Sequence, residues 1–134
     1  GTRLAATFLN RIVSNDYREL IAENKPRVMS QMEISDDAYM AYTKGMRMVA
    51  SYNEGKLTGT AYWKFVGYPV EIAAKTGTAQ TDAGDAYSDN GAFVCYAPAE
   101  KPEIAIVVLM EHAGTGSRYA VPAAKRVLET YFEK

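Results

Sequence analysis

A chain of 134 residues with 48% hydrophobic content fits one domain and carries enough apolar surface for a core. Its 15 basic and 16 acidic residues leave a formal charge of -1 and no basic stripe, which argues against a nucleic-acid partner. The longest apolar run, Ile104 to Met110, is too short to span a bilayer, and the first residues lack the basic-then-apolar pattern of a signal peptide. The chain as given is expected to be soluble, and its single cysteine permits neither an internal disulfide nor a cysteine-built zinc site.

Thr7 to Val13 and Arg18 to Ile21 are short β-prone stretches on either side of Ser14-Asn15-Asp16, whose side chains favour turns, so a peripheral hairpin is predicted. Ser35 then has the character of an N-cap. Asp36 and Asp37 suit the positive end of a helix dipole, and Tyr39, Tyr42, Met46 and Val49 share one face at helical spacing, which predicts a helix over 36–50. Gly55 and Gly59 bracket a polar connector, and Tyr62-Trp63-Lys64-Phe65 forms an aromatic knot before the turn at Gly67-Tyr68-Pro69.

Strands are predicted at 70–78, 91–97 and 103–111, the last apolar enough to be covered on both faces. The polar loop from Thr81 to Asn90 and the short turn from Pro98 to Pro102 make successive strands antiparallel. After Gly114-Thr115-Gly116 a terminal helix carries an apolar stripe of Ala120, Ala123, Ala124, Val127, Leu128 and Tyr131; Pro122 is tolerable only within its first turn. The outline is α+β, a small antiparallel sheet with a C-terminal helix packed on it.

One stretch names a reaction. Lys75-Thr76-Gly77-Thr78-Ala79-Gln80 opens on the Lys-Thr-Gly box found among the catalytic motifs of penicillin-binding proteins and class A β-lactamases. It falls at the end of a predicted strand, where Gly77 permits close backbone approach, Thr76 and Thr78 offer hydroxyl donors, and Lys75 adds a positive charge for a substrate carboxylate. A backbone N–H at such a strand end can also face a developing oxyanion. The bland alternative is an exposed turn with a solvated lysine. Those enzymes also need a Ser-x-x-Lys nucleophile box, yet the residues three places after the serines are Tyr17, Glu33, Ala38, Glu54, Gly91 and Ala120. None is a lysine.

The hexapeptide resembles the third motif of class B penicillin-binding proteins, the D,D-transpeptidases that cross-link peptidoglycan. Gly59-Thr60-Ala61 resembles the triplet that often precedes that motif, and Ala92 to Pro98 resembles the strand that follows it, usually Trp-Phe-x-Gly-Phe-x-Pro. Ile104 to Glu111, then Gly114-Thr115-Gly116 with Ala120, Pro122 and the last helix, resemble the family's C-terminal end. Ala92 and Cys95 depart from the usual Trp and Gly, which leaves the subfamily open. The resemblance implies that residues 1–134 are the C-terminal portion of a transpeptidase domain of the penicillin-binding-protein and β-lactamase-like fold. Gly1-Thr2-Arg3 resembles the tail of a Gly-Gly-Thr turn inside that domain.

By the same resemblance, Lys75 supplies charge and helps proton traffic, and the Thr76 and Thr78 hydroxyls hold the carboxylate of a peptidoglycan stem peptide or a β-lactam. The Thr78 N–H forms half of an oxyanion hole, the other half coming from a nucleophilic serine outside this chain. Lys75, Thr76, Gly77 and Thr78 lie on an edge strand to which the peptide adds. No cofactor or metal is implied. The location implied is the extracytoplasmic side of the bacterial envelope, with the membrane reached only through an N-terminal anchor. The chain alone is expected to be catalytically silent. Rival readings are a serine β-lactamase or β-lactam sensor, or a non-catalytic interaction module that self-associates through the edge or face at Ile104 to Met110.

Other motifs read more simply. Ser88-Asp89-Asn90 and Ser51-Tyr52-Asn53 both match the family's Ser-x-Asn motif, but stand in the wrong places relative to the box and read as turn or cap residues. Cys95 reads as a small core residue and His112 as a lone histidine. Asp82, Asp85 and Asp89 lack the glycine and terminal glutamate of a calcium loop.

Overall fold

The computed structural model describes residues 1–51, 59–81 and 88–133, so Gly55, the Tyr52-Asn53 pair and the loop acids Asp82 and Asp85 lie outside the described residues. The chain divides into two compact units, Gly1–Tyr39 and Met40–Lys134.

The first unit holds four short strands: β1 (Thr2–Leu4), β2 (Arg11–Val13), β3 (Leu20–Glu23) and β4 (Val28–Gln31). β2 pairs antiparallel with β3, and β1 with β4. The predicted hairpin is therefore present, and its turn shows why. Ser14 Oγ donates to Asp16 Oδ1 at 2.6 Å, the Arg18 amide donates to the same oxygen at 3.2 Å, and the Glu19 amide donates to Ser14 Oγ at 3.0 Å. The Ser14 hydroxyl, and after it the Arg18 amide, hold the Asp16 carboxyl below its usual range. The first strand is shorter than the 7–13 stretch, because the Thr7 hydroxyl donates to the Leu9 carbonyl and accepts from Asn24 Nδ2, a side-chain pattern that competes with a ladder. Helix α1 (Asp36–Met48) starts as expected, with the Ala38 amide donating to Ser35 Oγ at 3.3 Å. Of the predicted apolar face, Met46 is buried while Tyr39 and Tyr42 are exposed.

The second unit contains α2 (Tyr62–Phe65), β5 (Ala73–Ala79), β6 (Asn90–Ala97), β7 (Ile104–Met110) and α3 (Ala120–Phe132). The strands form an antiparallel sheet in the order β5-β6-β7, as the short connections predict. Residues facing each other across an antiparallel pair share a face. Ala74, Thr76 and Thr78 therefore share one face with Gly91, Phe93, Cys95 and Ala97, and with Ile106 and Val108 beyond them. That face packs on α3 through Ala120, Val121, Ala124 and Leu128, all fully buried, and Phe65 of α2 stacks on Phe93 at 6.5 Å. The α3 stripe is rotated from the predicted one: Val121 belongs to it, whereas Val127 and Tyr131 are exposed. Pro122 is the third residue of the helix, where its missing N–H costs no intrahelical bond.

A further expectation is corrected. Among the described residues β7 is covered on one face only; Ala105, Val107 and Leu109 turn outward, Val107 at 77% and Leu109 at 61% exposure. Both faces of this strand are apolar, so alternation carried no contrast from which the open face could be told.

Candidate functional site

The box occupies four of the last five residues of β5: Lys75 pairs with Val94, Thr76 with Phe93, Gly77 with Ala92 and Thr78 with Gly91. β5 ends the sheet order, so its outer edge has no strand partner among the described residues. Strand alternation divides the box. Lys75 and Gly77 lie on the face opposite α3, while Thr76 and Thr78 lie on the α3 side. The groups meet at the edge itself, where the exposed Lys75 Nζ donates to the Thr76 carbonyl at 2.5 Å. The Thr76 hydroxyl is 2.9 Å from the hydroxyl of Thr60, in the Gly59-Thr60-Ala61 triplet. A cation, two hydroxyls and a backbone edge without a strand partner among the described residues can together receive a carboxylate attached to an extended peptide.

The glycines around the box explain its setting. A β-carbon at Gly77 would meet the Ala92 β-carbon at 3.4 Å, an ordinary contact on the Lys75 face. On the other face the Gly114-Thr115-Gly116 turn lies directly on the sheet backbone. A β-carbon at Gly116 would fall 2.1 Å from the Ala92 carbonyl oxygen and 2.4 Å from that of Gly77, and one at Gly91 would fall 2.9 Å from the Gly114 oxygen. The turn is tied at both ends. The Gly114 amide donates to the Asp89 carbonyl at 2.7 Å, and the Gly116 carbonyl accepts from the Ala120 and Val121 amides at 3.1 Å each, which opens α3. Gly114 itself has φ 81°, the left-handed region that glycine adopts without strain. The sequence motif was visible, but its contact with the box was not.

The remaining candidates take structural roles. In Ser88-Asp89-Asn90, Asn90 Oδ1 accepts from the His112 amide at 2.9 Å and the Asp89 carbonyl holds Gly114, so this triplet fastens the end of the sheet. Cys95 is 3% exposed, and burial pushes its thiol up to about 11, leaving it protonated and unreactive at neutral pH. Among the described residues no group of three or more His, Cys, Asp and Glu side chains converges on a metal position. A cavity of about 340 Å³ lined by Arg47, Tyr62, Phe65, Tyr68 and Glu71, among others, includes no box residue.

The model of the penicillin-binding protein transpeptidase domain matches residues 1–129. The chain belongs to the penicillin-binding protein transpeptidase family. Penicillin-binding protein 2B of Streptococcus pneumoniae serotype 2 is 30% identical over 139 residues, an alignment that covers 100% of this chain and 20% of that protein. The peptidoglycan D,D-transpeptidase MrdA of Haemophilus influenzae is 29% identical over 109 residues, covering 72% of this chain and 16% of the relative. The solved structure of penicillin-binding protein 2B from S. pneumoniae strain R6 superposes with a TM-score of 0.73 at 28% identity, over 100% of this chain and 23% of that one. The chain thus spans about a fifth of the length of the relatives just described. The class B resemblance and the α+β transpeptidase fold read from the sequence both stand.

In a transpeptidase domain the contact beneath the box gives a sharp contrast between two glycines. Gly116→Ala forces a methyl into two carbonyl oxygens and should cost about 2 kcal/mol or more. Gly45→Ala, in α1 with nothing within 4 Å of the added carbon, should instead gain about 0.5–1 kcal/mol. Denaturant melts of the two variants check this, and equal effects would refute the packing described.

Proposed function

We propose that the β5 edge is the substrate-binding strand of a peptidoglycan D,D-transpeptidase of the bacterial cell envelope, one that β-lactams acylate. The observation that carries the reading is the position of Lys75-Thr76-Gly77-Thr78 on a strand whose outer edge has no strand partner among the described residues. The names of the relatives agree: one is a penicillin-binding protein and the other a peptidoglycan D,D-transpeptidase. No described helix is long and apolar enough to cross a membrane.

The Thr76 carbonyl faces the Lys75 ammonium at the edge, and the antiparallel ladder repeats its direction every second residue, so the Thr78 backbone also faces outward. An extended stem peptide adds there as a further strand. Its terminal carboxylate lies against the Thr76 and Thr78 hydroxyls with Lys75 as the nearby cation, and the scissile carbonyl oxygen lies toward the Thr78 N–H. A serine Oγ from outside this chain attacks the carbonyl carbon, the C–N bond to the terminal D-alanine breaks, and the acyl group passes to the amine of a second stem. Lys75 lowers the cost of placing the anion and helps carry protons. The chain itself holds no Ser-x-x-Lys, so on this reading it is not acylated by itself.

A fluorescent penicillin should label the full-length protein, and Thr78→Val should slow that acylation about tenfold or more through loss of one hydrogen bond to a charged group. The 134-residue chain should stay unlabelled. A stoichiometric adduct on the isolated chain, seen as a mass shift, would contradict the division of the site.

The outward face of Val94, Val107 and Leu109 favours a second role as an interaction surface, since contiguous exposed apolar area of this kind drives association. Light scattering on the isolated chain should show species above the monomer, reduced when Val107 and Leu109 are both changed to lysine. A strict monomer at high concentration would remove this reading.

A further inference from the structure

The Thr76 hydroxyl has a neighbour that the box motif does not contain. Thr60 Oγ1 lies 2.9 Å from Thr76 Oγ1, and either oxygen can be the donor. A carboxylate only accepts hydrogen bonds. When Thr76 donates to Thr60 it has no proton left for an anion. When Thr60 donates to Thr76, the Thr76 proton is free to point outward. An arriving carboxylate therefore selects the second arrangement, and the two hydroxyls polarise one another toward the anion. We propose that Thr60 is a positioning residue of this site: once the carboxylate of the acyl donor has selected the second arrangement, the proton donated by Thr60 holds the Thr76 hydroxyl in place and makes it a stronger donor to that carboxylate. The inference rests on the function proposed above.

The residues around Thr60 hold that hydroxyl in place. A β-carbon at Gly59 would fall 2.1 Å from the Met48 carbonyl oxygen and 2.2 Å from that of Val49, so the backbone lies directly on the end of α1 where no side chain fits. Ala61 is fully buried, and its amide donates to the Val49 carbonyl at 2.9 Å. The Tyr62 amide closes the turn by donating to the Gly59 carbonyl at 3.0 Å. Between two anchored neighbours, the β-branched Thr60 is left with χ1 alone, and β-branching narrows that too. Each member of the Gly-Thr-Ala triplet thus has its own reason: close approach, a hydroxyl for the box, and a place in the core.

The test compares Thr60→Val and Thr60→Ser with the unsubstituted full-length protein, using penicillin G and its carboxylate methyl ester as acylating agents and the thermal midpoint as a fold control. Thr60→Val should lose about fivefold in the second-order acylation rate with the free acid, the worth of one neutral hydrogen bond, with little change for the ester. Thr60→Ser, which keeps the hydroxyl, should restore the rate with the acid. Equal rates for Thr60→Val and the unsubstituted protein would overturn the inference, as would parallel losses with acid and ester or a Thr60→Ser variant as slow as Thr60→Val. An unsubstituted protein that no penicillin acylates would overturn the proposed function, and the inference with it, before any variant is compared.

Discussion

The site depends on one contact without side chains: the Gly116 backbone resting on the peptide groups of Gly77 and Ala92. Because no β-carbon intervenes, the turn before α3 can press on the β5–β6 ladder directly behind the box. The same Gly116 carbonyl starts α3 by accepting two amides, so the helix that seals Phe93, Cys95 and Ile106 begins where the box is braced. Core packing and site geometry are consequently one constraint. A box strand braced at its paired side presents its outer edge at a fixed height, and preorganised donors contribute most when they need no rearrangement.

Strand geometry then distributes the chemistry. Lys75 and the two threonines cannot project from one face, because successive side chains alternate. The threonine hydroxyls lie on the α3 side and the ammonium on the other, and the Lys75 contact with the Thr76 carbonyl brings the charge back to the edge. A ligand laid along that edge meets both groups at once, whereas a ligand placed on either face would meet only one. An extended peptide laid along a strand edge fits that arrangement.

The legible parts of the sequence were those with local causes. The turn at Ser14 and Asp16, the Ser35 cap, the sheet strands and the terminal helix follow from hydrogen bonds or periodicity within a few residues. Lys75 to Thr78 was legible because a reaction constrains residue type more tightly than packing does. What escaped was set by distant partners. β1 and β4 are too short to show alternation, and their pairing joins residues far apart in the chain. The open face of β7 is as apolar as its buried face. Tyr39 and Tyr42 share helical spacing with Met46 but not its burial. Thr60 and Gly116 touch the box only after folding, and nothing within their own segments names that distant partner.

The central claim is that the β5 edge receives the carboxylate of the acyl donor. A crystal structure of the full-length protein acylated by penicillin tests it most directly. The account predicts the penicillin carboxylate at about 2.7–3.0 Å from both the Thr76 and Thr78 hydroxyls, with the former β-lactam carbonyl oxygen on the Thr78 amide. A carboxylate bound away from β5, with both hydroxyls unengaged, would contradict it.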